Sequence, residues 1–426
     1  MIINDILKVI YEPQKIFKQI IENPKYLGAL IILLLFIGLQ VGYEYSQFSK
    51  TYTEQTSPTI DQLPTFTNAS AWASSPGVTL SNNYVDYFNY SIYVAGFGTT
   101  PTNPLGYYSV FGNSSLQIDA ANTNNVSAAL GNAFNVDCSA AGFQNLSMTI
   151  KMVEPQAAPQ NVTLTLYSLS DSNFYQYDLT PSLSNTSAIG LWNNLTIPVG
   201  TVAPGWTSSG APTWSNVTAL KLDFTYAANS NVTLRIGGLF FRGQYQTPIQ
   251  YNSTGILLQF LQVFSLQFIF GWFLITGLIY LIFKGLKSSV TWKPLFIALG
   301  FALFVMVIRA LVNLAGTLIL PAVYYPFDLS LGVRFDPYGV VFYPLEAVGT
   351  LSAQSQAVFN SIESLTAAFR LITSAMFVVS YVWLGALGTM IVGALKPEFS
   401  MVKRIVISAV SIAVTILLLL LLVGIA

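Results

Sequence analysis

Apolar and polar positions follow two different rhythms along this chain, and the change of rhythm divides it. Near both ends the apolar residues run on without interruption. In the middle they alternate with polar ones. A helix needs about 20 apolar residues to cross a bilayer. Four stretches in the C-terminal part meet that requirement, at about 257–283, 294–320, 365–395 and 405–425. A fifth run, Tyr26 to Tyr43, is barely long enough. It is followed by QVGYEYSQF, which is bulky and polar and carries no small-x-small cleavage site. The run is therefore expected to stay in the membrane as a signal anchor over 26–44, the first of five spans.

Residues 45–255 show the period of two that marks strands with one buried face. Leu146, Met148, Ile150 and Met152 share one phase. So do Val162, Leu164 and Leu166, then Leu220, Leu222 and Phe224, then Val232, Leu234 and Ile236. Asn145, Ser147, Asn161, Thr163, Asn231 and Thr233 take the opposite phase, which is expected to face outward. Further strands are expected near 82–95, 106–118, 128–137, 173–179 and 191–199. The fold class that follows is an α-helical five-span transmembrane bundle plus an antiparallel β-sandwich. Its parts are an amphipathic segment at 1–25, the span at 26–44, the sandwich at 45–255, and four more spans within 256–426 with an outer loop at 321–363.

Composition supports a membrane class. The chain is 53% hydrophobic and 8% charged, against about 25% charged in ordinary globular proteins. It has no histidine, which excludes His-based zinc sites and Ser-His-Asp or Cys-His nucleophiles. The one cysteine, Cys138, has no internal disulfide partner and reads as a small buried hydrophobe. Nine acidic residues scattered between 45 and 255 suggest no paired-carboxylate site of the glycosidase kind.

Charge placement orients the chain. Lys8, Lys15, Lys18 and Lys25 precede the first span, Lys284, Lys287 and Lys293 join the second to the third, and Lys396, Lys403 and Arg404 join the fourth to the fifth. These ten of the 18 basic residues fall on one side, which the positive-inside rule makes cytoplasmic. The N-terminus is then cytoplasmic, with 45–255 and the C-terminus outside. The eleven glycosylation sequons begin at Asn68, Asn89, Asn113, Asn125, Asn145, Asn161, Asn185, Asn194, Asn216, Asn231 and Asn252, all between the first and second spans. That segregation suits a glycosylated outer domain. The richness in Asn, Thr and Tyr suits an archaeal cell surface.

Pro13 is placed to start a helix that carries Ile16, Phe17, Ile20 and Ile21 on one face. Such a helix either lies on the inner leaflet or packs beneath the bundle. The segment ILKVIYEPQKIFKQIIENPKYLGALIILLL, with Pro13, Phe17 and Pro24, resembles the start of the Yip1-domain family. The resemblance implies a five-helix plan with a cytoplasmic N-terminus, and the middle of the chain reads as an insertion in the first outer loop. The family's GTPase binding is not carried over. Residues about 105 to 245 resemble galactose-binding-like, carbohydrate-binding-module jelly rolls, through WNNLTIPVGTVAPGWTSSGAPTWSNVTALKLDF and VTLRIGGLFFRG. That resemblance implies packing roles under the loops for Trp206 and Trp214. Ligand-facing roles for Trp192, Trp206 and Trp214 are the alternative. It also makes Asp119, Asp137 and Asp223 candidates for a structural calcium site.

Charge inside a span is costly and hence informative. Arg309 and Asn313 lie one turn apart in the third span, while Glu363 and Arg370 flank the start of the fourth. A buried Arg309–Glu363 pair is the favoured arrangement. Snorkelling of Arg309, or a polar pathway or lipid-headgroup pocket, are the others. The functional expectation is a non-enzymatic membrane scaffold or cell-surface recognition protein. Its partners would be the bilayer, and surface glycans or other membrane proteins, with no nucleic acid. The alternatives are an accessory subunit of a transporter or channel, and a carbohydrate-active surface enzyme.

Overall fold

Pro13 opens a helix, as its fixed φ and missing N–H favour, but another helix comes before it. In the computed structural model α1 (Ile2–Tyr11) and α2 (Pro13–Glu22) precede α3 (Tyr26–Lys50). The residues described are 2–84, 93–95, 107–109, 114–131, 134–185, 189–326, 333–334, 341–342 and 353–423. Of the two placements open to the Pro13 helix, the packed one is found. Ile16, Phe17 and Ile20 are buried in the same core as the long helices. Ile6 and Val9 of α1 join them.

Helix α3 passes without a loop into β1 (Thr51–Ser57). Then come β2 (Trp72–Ser74), β3 (Val78–Tyr84), β4 (Tyr93–Ala95), β5 (Tyr107–Ser109) and β6 (Ser114–Leu130). They are followed by β7 (Asn145–Glu154), β8 (Asn161–Ser168), β9 (Ser170–Asp178), a single turn α4 (Thr180–Leu183), β10 (Trp192–Pro198), β11 (Trp206–Ser209) and β12 (Val217–Gln246). β5 and the start of β6 both fall within the strand expected at 106–118, and among the described residues of the one expected at 128–137 only the first three belong to a strand. Residues 85–92 of the strand expected at 82–95 lie outside the described residues.

Strands β6 and β12 are long and bent, and they fold the sheet over. The first half of β12 pairs with β8, its second half with β7, and β6 runs beside both halves. The two layers enclose one core in which Leu116, Ile118, Leu146, Ile150, Leu164, Leu166, Leu222 and Leu234 are fully buried. All four alternating apolar sets point into it. The polar phase is less uniform than the alternation implies. Ser147 and Thr149 are only 9% and 3% exposed. Both are short side chains on an interior strand flanked by β10 and β12, so longer neighbours shade them.

From β12 the chain enters α5 (Pro248–Gly285) through a capping box, in which Thr247 and Gln250 exchange hydrogen bonds. Next are α6 (Trp292–Ala302) and α7 (Phe304–Ile319), which break at Leu303, then β13 (Val323–Tyr325), α8 (Ala353–Leu395) and α9 (Met401–Val423). Five helices are long and apolar enough to cross a membrane, at Tyr26–Lys50, Asn252–Gly285, Trp292–Ile319, Asn360–Leu395 and Met401–Leu421. Most of the loop expected at 321–363 lies outside the described residues; β13 is within them and pairs in parallel with β1.

The bundle and the sandwich meet through bonded contacts. Lys50 Nζ donates to the carbonyls of Thr317, Leu318 and Leu320 at 2.9, 2.8 and 2.7 Å. It therefore satisfies acceptors that the end of α7 leaves open, where a cation also suits the helix dipole. Glu54 on β1 accepts two hydrogen bonds from Arg242 on β12, at 2.9 and 2.8 Å. Tyr324 stacks on Tyr52 and meets Tyr245 edge-on, forming an aromatic collar at this level. At the opposite, lysine-rich end, Lys293 lies over Tyr26 and Lys284 over Tyr280. Aromatics at both ends of an apolar bundle are the arrangement that bilayer interfaces favour.

Candidate functional site

Pairing register brings together side chains that alternation alone leaves scattered. Trp192 sits opposite Lys151, Lys151 opposite Arg235, Arg235 opposite Gln117, and Gln117 opposite Ser81. Side chains directly opposite in an antiparallel pair share a face. One row of polar groups thus crosses β10, β7, β12, β6 and β3, with an indole at its edge. The next row places Thr233 opposite Asp119.

Hydrogen bonds hold this face in a set geometry. Gln117 Oε1 accepts from Arg235 Nε at 3.0 Å and also from Asn83 Nδ2. Gln117 Nε2 donates to Asp119 Oδ2 at 2.8 Å, and Thr233 Oγ1 donates to Asp119 Oδ1 at 2.8 Å. Lys151 Nζ lies 6.0 Å from the Trp192 ring centroid. These side chains are half-buried, so their bodies are fixed while polar atoms stay reachable. The array offers donors and acceptors side by side, and a ring face beside a cation. It is chemically matched to a ligand rich in hydroxyls, each of which both donates and accepts.

Trp206 and Trp214 lie elsewhere. Trp214 is buried and stacks on Tyr175 with centroids 3.8 Å apart, and Trp206 meets Trp214 edge-on at 5.3 Å. Trp206 Nε1 donates to Pro198 O at 2.7 Å. Tyr175 donates to Pro212 O at 2.9 Å, and burial raises its hydroxyl pKa, which keeps the donor proton in place. The three candidate calcium ligands are separate. Asp119 bonds Gln117 and Thr233, Asp223 pairs with Lys221 at 2.9 Å, and Asp137 accepts from the Ser139 amide. No metal-binding group of three such side chains occurs among the described residues.

Among the sequons, Asn68, Asn125, Asn161, Asn185, Asn194, Asn231 and Asn252 are exposed, and Asn145 and Asn216 are half-buried. Asn89 and Asn113 lie outside the described residues.

The bundle holds a second polar assembly. Arg309 faces a cavity of about 60 Å³ together with Gln40, Gln267, Tyr381 and Thr415, which is room for a few waters. Its guanidinium lies 4.7 Å from the Phe377 ring centroid, and Tyr381 lines the same cavity. The Arg309–Glu363 pair does not form. Glu363 is exposed and contacts Arg370 at 3.4 Å. Helix α8 starts at Ala353, so at the level of Arg309 it presents Phe377, about 21 Å along the helix from Glu363. Asn313 is buried one turn beyond Arg309. Glu44, fully buried near the end of α3, is an acid inside the bundle that the sequence pattern does not single out. The signal is the acid in QVGYEYSQF, directly after the apolar run that ends at Tyr43.

Comparison with known proteins gives a likeness of fold. No protein-family model matches the chain, that of the Yip1 domain included, and no curated protein matches it. Among solved structures it is similar to the family 11 carbohydrate-binding module of the cellulase Lic26A-Cel5E of Clostridium thermocellum. The identity is 13%, over 40% of this chain and 85% of that one, with a TM-score of 0.23. An exo-beta-agarase is similar at 11% identity, over 43% of this chain and 25% of that one, with a TM-score of 0.27. The CBM22-1–GH10 modules of xylanase Xyn10B of Clostridium thermocellum are similar at 13%, over 42% and 27%, with a TM-score of 0.19. These structural neighbours are carbohydrate-binding β-sandwiches and glycoside hydrolases. At such values the likeness carries no inference about ligand or activity.

Proposed function

We propose that this protein is a membrane-embedded, non-enzymatic surface-recognition scaffold whose outer sandwich binds carbohydrate. The observation that carries the reading is the prearranged polar face of Asn83, Gln117, Asp119, Lys151 and Arg235 with the Trp192 ring at its edge. The bundle, Yip1-like in its five-helix plan, serves as the anchor. Full-length protein in mild detergent, applied to a glycan array, is expected to retain a defined subset of glycans. Arg235→Ala and Trp192→Ala should each weaken that binding about tenfold, on the scale of one charged hydrogen bond, with the thermal midpoint unchanged. Retention of no glycan, or variants that bind as well as the parent, would remove the reading. The accessory-subunit reading rests instead on the cavity at Arg309, and a transporter co-purifying in stoichiometric amount would favour it.

In this reading the lysine-rich end of the bundle is cytoplasmic. Cys138 makes the test clean, because it is fully buried and burial raises its thiol pKa, leaving it unreactive. Cysteines placed at the exposed positions Ser289 and Ser400 should be shielded from an impermeant thiol reagent in intact cells, while one at Ser184 labels. Labelling at Ser289 would invert the orientation.

A further inference from the structure

Helices α8 and α9 touch where Ser408 Oγ donates to Gly385 O at 2.9 Å. Beside that contact they diverge around a groove of about 820 Å³. Its walls are apolar, with Val382, Ala386 and Met390 on α8 facing Ile405, Ala409 and Ala413 on α9. From Val382 to Pro397 it runs about 22 Å along α8, somewhat more than the half-thickness of about 15 Å that one leaflet's chains occupy. Tyr381 stands at the end of the groove away from Pro397.

The mouth of the groove is basic. Lys18, reaching up from α2, and Arg404 of α9 both line it. Among the described residues neither is in an ion pair, whereas the neighbouring Lys15 and Lys396 are matched by Glu12 and Glu398. Arg404 is also held in place. Its Nε and Nη2 donate to Phe399 O at 2.8 Å and Pro397 O at 2.6 Å. Its Nη1 lies against Gly393, where a Cβ would come within 2.7 Å of it. Lys284 and Lys293 over their tyrosines mark this end as the headgroup level. An apolar channel long enough to take one leaflet's chain, with two unneutralised cations at its mouth, complements a lipid with a negative head and long chains.

We propose that this groove is a specific site for one anionic phospholipid, its phosphate between Lys18 and Arg404 and a chain along α8 and α9. The site is independent of carbohydrate binding by the outer face. Full-length protein, delipidated in detergent, is titrated with phosphatidylglycerol, phosphatidylcholine or inorganic phosphate and read by native mass spectrometry. One phosphatidylglycerol is expected to be retained in preference to phosphatidylcholine. Lys18→Gln should weaken it about fivefold, the worth of one cation near a membrane surface. Ala409→Phe, which fills the groove, should abolish retention. Lys18 is exposed on α2, so its variant decides the matter even if Ala409→Phe fails to fold. Equal retention of the two lipids, unaltered binding by Lys18→Gln, or displacement of the lipid by inorganic phosphate would each overturn the site.

Discussion

Replacing Arg242 with methionine is expected to cost about 3–5 kcal/mol, the range for a buried ion pair that loses one partner. The Glu54 side chain is 4% exposed and that of Arg242 20%, so the orphaned carboxylate would have little access to water. The loss falls where β1 and β12 join, the point at which the sandwich is fastened to the bundle. A fall of roughly 10 °C in the thermal midpoint is the corresponding reading. Glu54→Leu alone should be as harmful, because it strands the guanidinium. The double change Glu54→Leu with Arg242→Met should recover most of the stability, since an apolar pair of similar volume needs no desolvation. Melts of the four proteins form a double-mutant cycle. Strictly additive costs would show that the two side chains do not act together.

A comparable loss is expected from Gly300→Leu in the bundle. A Cβ at Gly300 would lie 2.7 Å from Ala29 Cβ and would overlap the Trp272 indole. That indole is immobile, stacked on Phe296 at 4.1 Å and donating to Phe296 O at 2.7 Å. Gly28, one residue before Ala29, is pressed against the Phe301 ring in the same way. Small residues let α3 and α6 approach this closely, which is how helices associate where no hydrophobic drive exists between them. Overpacking of this kind costs about 1–3 kcal/mol, and more where backbones must part. Gly38, on the same helix α3, has nothing within 4 Å of its would-be Cβ. Gly38→Leu should therefore leave the monodisperse peak on size exclusion intact, while Gly300→Leu loses it. Equal damage from both would point to helix propensity or lipid contact instead of this seam.

Much of the fold was readable because burial leaves periodic traces. Leu146 to Met152 and Val162 to Leu166 announced their strands by phase, and five apolar runs announced five long helices. Long-range order left weaker traces. AANSN, residues 227–231, carries the composition of a turn, yet β12 passes through it as one strand from Val217 to Gln246, absorbing the irregularity as register shifts against β6. The candidate binding face was hidden for a related reason. Alternation assigns Gln117, Lys151 and Arg235 to the outward phase, but register decides which of them become neighbours, and no local pattern encodes register across residues 36 to 118 apart. In the bundle, the sequence marks Arg309 by its charge within an apolar run, but it lies over Phe377 and not beside Glu363. Glu363 lies about 21 Å along α8 from Phe377, and the vertical alignment of two helices leaves no periodic trace in either sequence.

The passage of α3 straight into β1, and of β12 straight into α5, has a mechanical meaning. A domain on a flexible linker samples many orientations, and a force applied to it is spent in straightening the linker. Here two adjacent strands continue as two neighbouring helices, and Lys50 bolts the base of the sandwich to a third. The sandwich is thus coupled to the bundle as a lever, with its fulcrum at the α3–β1 junction. A pull or twist at its far tip is passed to α3 directly, and to α5 through the kink at Asn252, whose φ of −149° and ψ of 48° are not helical.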